Sequence, residues 1–473
     1  MNSGEKITIY PVTRIEGHAK ITIHLDKDRR IDKVLFHVDQ LRGFEKFIEG
    51  RYFEEAPIIT AKICGICPLS HILGAVKAGD MIMNVQIPYT AKLLRTLAHL
   101  GQIIQSHCLH FFYLASPDLL LGWDADPAIR NVAGLIEKYP DFAMKGIKLR
   151  KFGQTIKEND VGARINPKNI VAGGVAAPLT VQHRDSLLYQ IDEMISYCLE
   201  GLEFIKNYIE NNKSFVQSYA NFKTNFMGLI NNGNWEVYDG KVKVIDEKGD
   251  NIYEFLPEHY LSYIAEYIED WSYLKFPFLR ILGYPNGVYR VGPLARLNIS
   301  DNLPTPIAER EFKVFKQLGT PIHESFYYHY ARMIEVLHSI ERVREILLDP
   351  QILDKDVFVK GMIEREEGIG VIEAPRGTLI HHYWVDENGT IVKCNMIVAS
   401  GNNNWAMSKA VETIAKKFVD PQEVKEEALN LVEGGIRCYD PCLSCSTHAV
   451  GQMPMVIEFY DSEKQLINKI IRE

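Results

Sequence analysis

The sequence has no run of about 18 apolar residues and no apolar core near its start, so a membrane span and a secretion signal are not predicted. We therefore expect a cytoplasmic chain. Basic residues do not dominate, since the formal net charge is -8. A nucleic-acid partner is not expected, because binding a phosphate backbone needs a basic face. There is no internal repeat and no Gly/Ser-rich linker, so the sequence offers no clear boundary between independent domains.

Cysteine is scarce, with eight residues in a chain of 473. That is too few for a disulfide framework, and clustered cysteines in a reducing compartment more often bind metal or carry out redox chemistry. Four of the eight form two C-x-x-C pairs, Cys64 with Cys67 and Cys442 with Cys445. The others are predicted to be small buried residues or lie outside the pair spacing: Cys108, Cys198, Cys394 and Cys438.

The two cysteine pairs lie near opposite ends of the chain, which bears on their chemistry. A structural zinc site uses four thiolates, but its two pairs usually lie within a few tens of residues of each other. A thioredoxin-type redox pair would explain one C-x-x-C and leave the other without a role. The third interpretation is a buried four-thiolate site assembled from both ends of the chain. Such soft ligands select nickel, iron or zinc, and two metals sharing two thiolates would balance the negative charge.

Periodicity along the chain predicts an α+β fold. Alternation of apolar and polar residues in ITIYPV, AKITIHLD and IDKVLFHVD predicts a small antiparallel sheet within about residues 1–60. Apolar residues then recur at helical spacing in three long segments, residues 89–114, 187–205 and 326–347. We expect these helices to pack together as a large central helical bundle.

Smaller β elements are expected around that bundle. Turn residues at 239–240 and 248–250 predict a β insertion at about residues 234–255. Strands are also predicted in GVIEAP, GTLIHHYWVD and TIVKCNMIV. The fold class is therefore a helical bundle with small peripheral antiparallel β-sheets.

The segments around the cysteine pairs carry a family resemblance that covers nearly the whole chain. In order, they resemble the signature segments of the large subunit of nickel-iron hydrogenases: PVTRIEGH (11–18), RGFEKF (42–47), ICGICPLSH (63–71), EAPRGTLIHH (373–382), GNNNW (401–405) and DPCLSCSTH (440–448). Three more are most similar to the cytoplasmic bidirectional branch that exchanges electrons with NAD: GWDADPAIRN (122–131), GVYRVGPLARLN (287–298) and GQMP (451–454). The resemblance implies a single composite large-subunit domain over residues 1–448.

The resemblance implies a nickel-iron centre held by the four paired cysteines. Cys64 and Cys442 would be terminal nickel ligands, and Cys67 and Cys445 would bridge nickel to an iron that carries carbon monoxide and cyanide. His71, four positions after Cys67, would donate a hydrogen bond to a bridging sulfur. Without the motif, a core histidine would be the simpler interpretation.

The resemblance also assigns polar residues around the metals. Glu16 matches a proton-relay glutamate next to Cys442. Arg376 matches a guanidinium that overhangs the metals, and Asp118 and Asp440 match carboxylates that hold that arginine in place. Ser400, just before GNNNW, would donate a hydrogen bond near the diatomic ligands of the iron. Each of these residues could otherwise be an ordinary surface, turn or helix-end residue.

Two further assignments and one departure complete the site. Glu45 and His448 resemble ligands of a structural Mg2+, although histidine is an unusual ligand for that ion. Lys62 stands two residues before the first cysteine, where the family usually has arginine. That change keeps the positive charge and loses the planar fork of the guanidinium.

Residues 449–473 follow the last motif histidine. In the family, a maturation protease removes the corresponding segment once nickel is bound. The alternative is a terminal strand, MVIEFYD, followed by a short helix, QLINKIIRE, that stays attached.

The sequence contains neither an iron-sulfur cysteine constellation outside the two pairs nor a dinucleotide-binding glycine motif after a strand. We therefore expect a partner small subunit with an iron-sulfur cluster, and diaphorase subunits that bind flavin and NAD. The predicted reaction is the reversible oxidation of dihydrogen. Electron-bifurcating and deazaflavin- or heterodisulfide-linked hydrogenases are alternatives, and a zinc-stapled scaffold related to the quinone-site subunit of complex I is the alternative outside enzymes.

Overall fold

The fold is described from a computed structural model. It describes the backbone of residues 6–161, 169–446, 455–460 and 466–472, and the side chains of residues 6–158 and 169–444. Cys445 therefore has a described backbone only, and His448 lies outside the described residues.

The helices range from single turns to core helices of more than 20 residues. In chain order they are α1 Phe44–Ile48, α2 Ala56–Thr60, α3 Pro68–Ile82, α4 Tyr89–Leu109, α5 Ser116–Leu121, α6 Val132–Lys138, α7 Pro140–Val161, α8 Val181–Asn211, α9 Lys213–Ser218, α10 Tyr260–Tyr263, α11 Pro293–Ile299, α12 Ala308–Lys316, α13 Tyr328–Leu347, α14 Ala399–Asn402, α15 Asn404–Phe418, α16 Glu426–Arg437 and α17 Leu443–Ser446. A π-helical stretch, His110–Ala115, continues α4.

The strands form small, separate sheets. In chain order they are β1 Lys6–Ile9, β2 Lys20–Leu25, β3 Ile31–His37, β4 Ile170–Val171, β5 Gly174–Val175, β6 Asn225–Asn231, β7 Asn234–Trp235, β8 Lys241–Ile245, β9 Asn251–Phe255, β10 Ile264–Tyr267, β11 Phe276–Leu279, β12 Tyr289–Arg290, β13 Glu367–Ala374, β14 Gly377–Val385, β15 Ile391–Ile397, β16 Met455–Tyr460 and β17 Leu466–Arg472.

The central layer is a helical bundle, as the periodicity predicts. Helix α4 packs against α7 and α13, and α13 also packs against α8. Helix α13 is buried over nearly its whole length, and its apolar residues belong to the main core cluster. The three predicted long helices are confirmed, and burial of their apolar faces is the main stabilising contribution of this layer.

The sheets lie around the bundle, and the α+β prediction is confirmed. Strands β1, β2 and β3 form the expected N-terminal antiparallel sheet, and β13, β14 and β15 form a second one that covers α3. Strands β7, β8 and β9 lie in the predicted insertion, where β7 and β8 each pair with β6 and β9 pairs with β8.

One alternative for the C-terminal segment is wrong. Within the predicted helix QLINKIIRE, the described residues Leu466–Arg472 form a strand that pairs antiparallel with Met455–Tyr460. The β-branched residues Ile467, Ile470 and Ile471 favour a strand over a helix. Among the described residues, no helix is both long and apolar enough to cross a membrane.

Candidate metal centre

The first cysteine pair forms a compact loop at the start of helix α3. Cys64 is extended, and Cys67 is the N-cap of the helix, which Pro68 begins at a position that suits proline. The backbone N–H groups of Ile66 and Cys67 both point at Cys64 Sγ, at 3.2 and 3.4 Å. Hydrogen bonds of this kind favour the thiolate form, which is the form that binds metal.

The second pair meets the first through the N-terminal segment of the chain. Glu16 pairs with Cys442 as an isolated parallel bridge, and the Leu443 N–H donates to the Glu16 carbonyl at 3.2 Å. Gly17 has φ +86° and packs so closely that a Cβ there would lie 2.8 Å from Leu443 Cβ. The glycine of the RIEGH motif is therefore required for this contact.

The sulfurs of Cys64, Cys67 and Cys442 converge in the interior. All three residues are buried, and their sulfur atoms lie within 4.8 Å of one another. Cys64 Sγ and Cys442 Sγ are 3.2 Å apart, which is too long for a disulfide. Cys445 was predicted to complete this set, but its side chain lies outside the described residues. The structure thus brings together three of the four predicted thiol ligands.

Ser400 lies next to the second pair. Its Oγ accepts the backbone N–H of Cys442 at 2.7 Å, so the hydroxyl proton stays available for another acceptor. The carboxylate of Glu16 lies on the same turn, where its Oε2 accepts the Ser444 N–H at 3.1 Å. Both predicted residues are therefore next to Cys442.

Arg376 and Asp440 form a buried ion pair beside the sulfurs. The guanidinium Nε donates to the Asp440 carbonyl, and Nη2 donates to Asp440 Oδ1 at 3.2 Å. Asp440 has φ 50°, a left-handed conformation that aspartate tolerates. Burial by itself would lower the pKa of Arg376, but the Asp440 carboxylate and the three cysteine sulfurs outweigh it and raise that pKa well above its usual value. Arg376 is therefore a fixed positive charge.

The prediction that Asp118 also holds Arg376 is wrong. Asp118 lies in the first turn of α5, where its Oδ1 accepts from Arg14 Nη2 at 2.5 Å and from Asn430 Nδ2 at 3.0 Å. Its Oδ2 lies 3.1 Å from Arg437 Nε. The carboxylate thus ties the N-terminal segment to α16, and its two oxygens are occupied by those partners.

The remaining predicted residues have different surroundings. His71 lies on α3, with Nδ1 3.1 Å from His381 Nε2. Glu45 lies on α1, and its Oε1 accepts the Met396 N–H of β15 at 2.6 Å. The magnesium prediction is not tested, because His448 lies outside the described residues. Lys62 is exposed on the turn before Cys64, whereas the sulfurs are buried.

A buried charged network, which the sequence analysis did not identify, supports the segment before Arg376. Arg296 pairs with Glu335 at 2.6 Å and with Glu373 at 2.9 Å. It also donates to the carbonyls of Ala374 and Pro375, at 3.0 Å each. No sequence signal identified this network, because Glu335 shares a helical face with Arg332, His338 and Ser339, and a polar face normally indicates exposure to solvent.

The asparagines of the GNNNW segment hold neighbouring segments of the chain together around the site. Its asparagines lie at the junction of α14 and α15, and they bond to backbone or side-chain atoms of Tyr289, Thr378, Val291, Leu274 and Lys275. These bonds hold β14 against the strands that precede α11. The Ser400 hydroxyl is thereby kept at a fixed distance from Cys442.

A small cavity lies directly beside the sulfurs and suits a bound group. Polar and sulfur-bearing residues on its wall include Cys67, Ser70, His71, Arg376, Ser400 and Cys442, and apolar residues include Pro375, Leu379 and Val398. Arg376 Nη1 is buried and has no hydrogen-bond partner in the described part of the chain. Because buried donors are nearly always paired, this arrangement fits a ligand that accepts a hydrogen bond next to a thiolate-bound metal.

Comparison with known proteins agrees with this donor set. Residues 42–145 and 236–448 match a family model described as nickel-dependent hydrogenase, and residues 6–41 match a model described as HoxL-like. The chain is 43% identical over 463 residues to a chain of the vhc F420-non-reducing hydrogenase of Methanococcus voltae, covering 96% of this chain and 97% of that protein. It is 40% identical over 486 aligned positions to the NAD-reducing hydrogenase HoxS subunit beta of Cupriavidus necator, covering 99% of each.

Solved structures show the same fold. A crystal structure of an NAD+-reducing NiFe-hydrogenase in the H2-reduced state superposes with a TM-score of 0.92 at 41% identity, covering 94% of this chain and 100% of that one. The Ni-Fe-Se hydrogenase of D. vulgaris Hildenborough, at 22% identity, superposes with a TM-score of 0.77 and covers the same shares. The second likeness concerns the fold alone.

Proposed function

Because this chain belongs to the nickel-dependent hydrogenase family and is a large subunit of that kind, we propose that it catalyses the reversible oxidation of dihydrogen and that its complex passes the electrons to NAD. The observation that carries the proposal is the convergence of the Cys64, Cys67 and Cys442 sulfurs beneath Arg376. Soft thiolates in that number select nickel and iron over hard cations such as magnesium. The similarity to an NAD-reducing hydrogenase supports the choice of acceptor.

The four paired cysteines would hold the metal centre. Cys64 and Cys442 would be terminal ligands of nickel, and Cys67 and Cys445 would bridge it to iron. When bound, this centre supplies the site at which dihydrogen is split into two protons and two electrons. The N–H groups that point at Cys64 Sγ support the assignment, because they stabilise the thiolate before metal arrives.

Residues beside the sulfurs would handle charge and protons. Arg376, held by Asp440, provides a positive charge in a buried site. Such a fixed charge can stabilise negative charge that develops during the reaction. We assign Glu16 as the group that receives the proton from Cys442, because its backbone pairs with Cys442 and its carboxylate lies on the same turn.

The cavity would accommodate the small ligands of iron. Carbon monoxide and cyanide are linear, and cyanide accepts hydrogen bonds. Arg376 Nη1, which lacks a partner in the described structure, and the Ser400 hydroxyl are candidate donors to cyanide. The apolar side chains of Pro375 and Val398 in the same wall suit carbon monoxide. We further propose that Glu45 and His448 take part in a structural Mg2+ site.

Electrons would leave through partner subunits. The cluster formed by Cys64, Cys67 and Cys442 is the single candidate metal group within the described residues. We therefore propose a small subunit with an iron-sulfur cluster, and diaphorase subunits that bind flavin and NAD. The cytoplasmic location expected from the sequence stays a prediction.

The C-terminal segment would be removed during maturation. We propose that residues 449–473 are cleaved by a dedicated protease after nickel insertion, which leaves residues 1–448 as the mature large-subunit domain. Intact-mass measurement of the chain before and after nickel loading tests this directly. A chain that retains residue 473 in fully active complex would contradict it.

Metal analysis of the native complex, purified without oxygen, tests the main proposal. We expect about one nickel per chain, iron in excess from the partner clusters, and reduction of NAD that depends on dihydrogen. Intact mass on the same sample shows whether residues 449–473 have been removed. Zinc without nickel in the processed chain would contradict the hydrogenase and favour the zinc-stapled scaffold.

A second acceptor class has a specific observation in its favour. The similarity to an F420-non-reducing archaeal hydrogenase, at 43% identity, is as high as the similarity to the NAD-reducing one. The purified complex would then oxidise dihydrogen with an artificial acceptor and fail to reduce NAD. The same assay therefore separates the two acceptor classes.

A further inference from the structure

A line of buried hydrogen bonds leads away from the metal centre through three rings. His71 Nδ1 lies 3.1 Å from His381 Nε2, and His381 Nδ1 lies 2.5 Å from the Tyr383 hydroxyl. The exposed fractions of His71, His381 and Tyr383 are 1%, 0% and 0%. Water therefore does not compete for these bonds, and the direction of each one depends on its neighbours.

The fold holds the rings in this order. His381 and Tyr383 lie two residues apart on β14, so they point to the same face of the strand. Helix α3 carries His71 and Gly74 on the opposite side of the contact. A Cβ at Gly74 would lie 3.0 Å from His381 Cδ2, so the imidazole of His381 has little room to turn.

The tyrosine decides the direction of the first bond. Burial raises the pKa of Tyr383 well above its usual value, so its hydroxyl keeps its proton. The partner of this hydroxyl within the described structure is His381 Nδ1. If His381 Nδ1 carried a proton and donated instead, the tyrosine O–H would be a buried donor without an acceptor, which is costly. Tyr383 therefore donates to His381 Nδ1.

The direction of the second bond follows from the first. His381, with Nδ1 accepting, carries its hydrogen on Nε2 in the neutral ring and donates to His71 Nδ1. His71 Nδ1 is then an acceptor, and the His71 hydrogen is on Nε2. His71 lines the cavity together with Cys67 and Cys442.

We propose that Tyr383 is a positioning residue that, through His381, fixes His71 in the tautomer whose Nε2–H donates to a sulfur of the metal centre. This inference rests on the proposed function, since the sulfur is taken to be a metal ligand. Partners that fix the tautomer of a histidine near a metal tune the metal without touching it. Loss of the donated hydrogen bond would make the thiolate a stronger electron donor to the metals.

The test compares Tyr383→Phe with Tyr260→Phe in the complete complex. Tyr260 is also fully buried, and its hydroxyl lies 3.0 Å from Nδ1 of His382, the neighbouring histidine on β14. Adjacent residues of a strand point to opposite faces, so this control removes a similar tyrosine–histidine bond on the other side of the sheet. Nickel and iron content and the thermal unfolding midpoint are measured for both variants.

Infrared bands of the iron-bound carbon monoxide and cyanide give the main readout. We expect Tyr383→Phe to move these bands to lower wavenumber or to add a second set there, because a more electron-rich iron weakens the C–O and C–N bonds. Tyr260→Phe should leave the bands where they are. Unchanged bands in Tyr383→Phe, or equal shifts in both variants, would overturn the inference.

A measurement on the unmodified complex covers the case in which Tyr383→Phe does not incorporate metal. With 15N-labelled histidine, solid-state NMR should show His71 and His381 protonated on Nε2 and unprotonated on Nδ1, with the His381 signals assigned by their loss in His381→Asn. Protonation of either residue on Nδ1 would contradict the inference. Absence of nickel and of all infrared bands in the unmodified complex would instead contradict the proposed function.

Discussion

Two buried arginines show how the same residue serves different purposes in this chain. Arg296 is 0% exposed, and its guanidinium makes five hydrogen bonds, to Glu335, Glu373 and two backbone carbonyls. Arg376 is 4% exposed, and its guanidinium bonds to Asp440, while its Nη1 has no partner in the described residues. The hydrogen-bond donors of Arg296 are therefore saturated, and those of Arg376 are not.

The difference in hydrogen bonding indicates that Arg296 has a structural role and that Arg376 is available to a bound group. A guanidinium has five N–H donors, and Arg296 uses all of them within the chain, so it has nothing left to offer a ligand. Arg376 has donors to spare next to the cysteine sulfurs. Because Arg296 bonds to the carbonyls of Ala374 and Pro375, the saturated arginine fixes the backbone on which the unsaturated one sits.

The largest expected effect comes from breaking the saturated network. Glu335→Ala removes the carboxylate that pairs with Arg296 and leaves a buried positive charge partly uncompensated. We expect the free energy of unfolding to fall by about 3–5 kcal/mol. Denaturant unfolding of the complex measures this loss, and Glu254→Gln, which removes an exposed pair with Lys241, should cost at most about 1 kcal/mol. Equal losses in the two variants would contradict the structural role of Glu335.

Replacing the unsaturated arginine should affect turnover more than folding. Arg376→Lys keeps the charge but loses the planar fork, and one donor removed from a charge-stabilising site typically costs about 10²-fold or more in rate. We expect oxidation of dihydrogen to fall by at least that factor, with a smaller loss of stability than in Glu335→Ala. Normal nickel content confirms that the centre is still assembled. A variant with full activity would show that the guanidinium geometry is unimportant.

Acid should weaken the network around Arg296 through two buried histidines. Burial lowers the pKa of His99 and of His107 to about 4, although each donates to an acceptor of the network, the Glu373 carbonyl and the Glu335 carboxylate. Between the ordinary histidine pKa and about 4, the unfolded chain binds protons that the folded chain does not. Stability should therefore fall as the pH decreases through this window, by up to about 1.4 kcal/mol per pH unit for each histidine.

Unfolding midpoints measured across that pH range check this expectation. His107→Gln, which keeps a side-chain donor and does not titrate, should flatten the pH dependence. A midpoint that does not change between neutral pH and pH values near 4 would contradict the assignment of these histidines as buried and neutral.

The smallest effect is expected at Lys62, which departs from the family pattern. Its side chain is exposed on the turn before Cys64, whereas both arginines are buried. Lys62→Arg, which restores the usual residue, should change the free energy of unfolding by no more than about 0.5 kcal/mol. A large gain in the stability or in the nickel content of the purified complex would show that a partner subunit contacts this position.

The sequence predicted the helices and strands well and identified cysteines that converge in the structure, because periodicity and cysteine spacing are local information. Helical periodicity identified the long helices, and alternation identified β1 to β3. The three strands predicted later in the chain match β13 to β15, and cysteine spacing identified Cys64, Cys67 and Cys442. The resemblance matched Asp440 to Arg376, and the two residues form a buried ion pair in the structure, with Asp440 two residues before Cys442.

The chemistry of each ligand and the helix or strand that carries it were thus determined by the sequence itself, since side-chain type and periodicity are properties of a short stretch. Only the tertiary structure decided which charges pair: Asp118 with Arg14 and Arg437, and Glu335 with Arg296. It also decided that His71 meets His381. These partners are brought together by the packing of α3, α5, α13 and β14, and no local pattern encodes which of several buried carboxylates or imidazoles lies within hydrogen-bonding distance of a given donor.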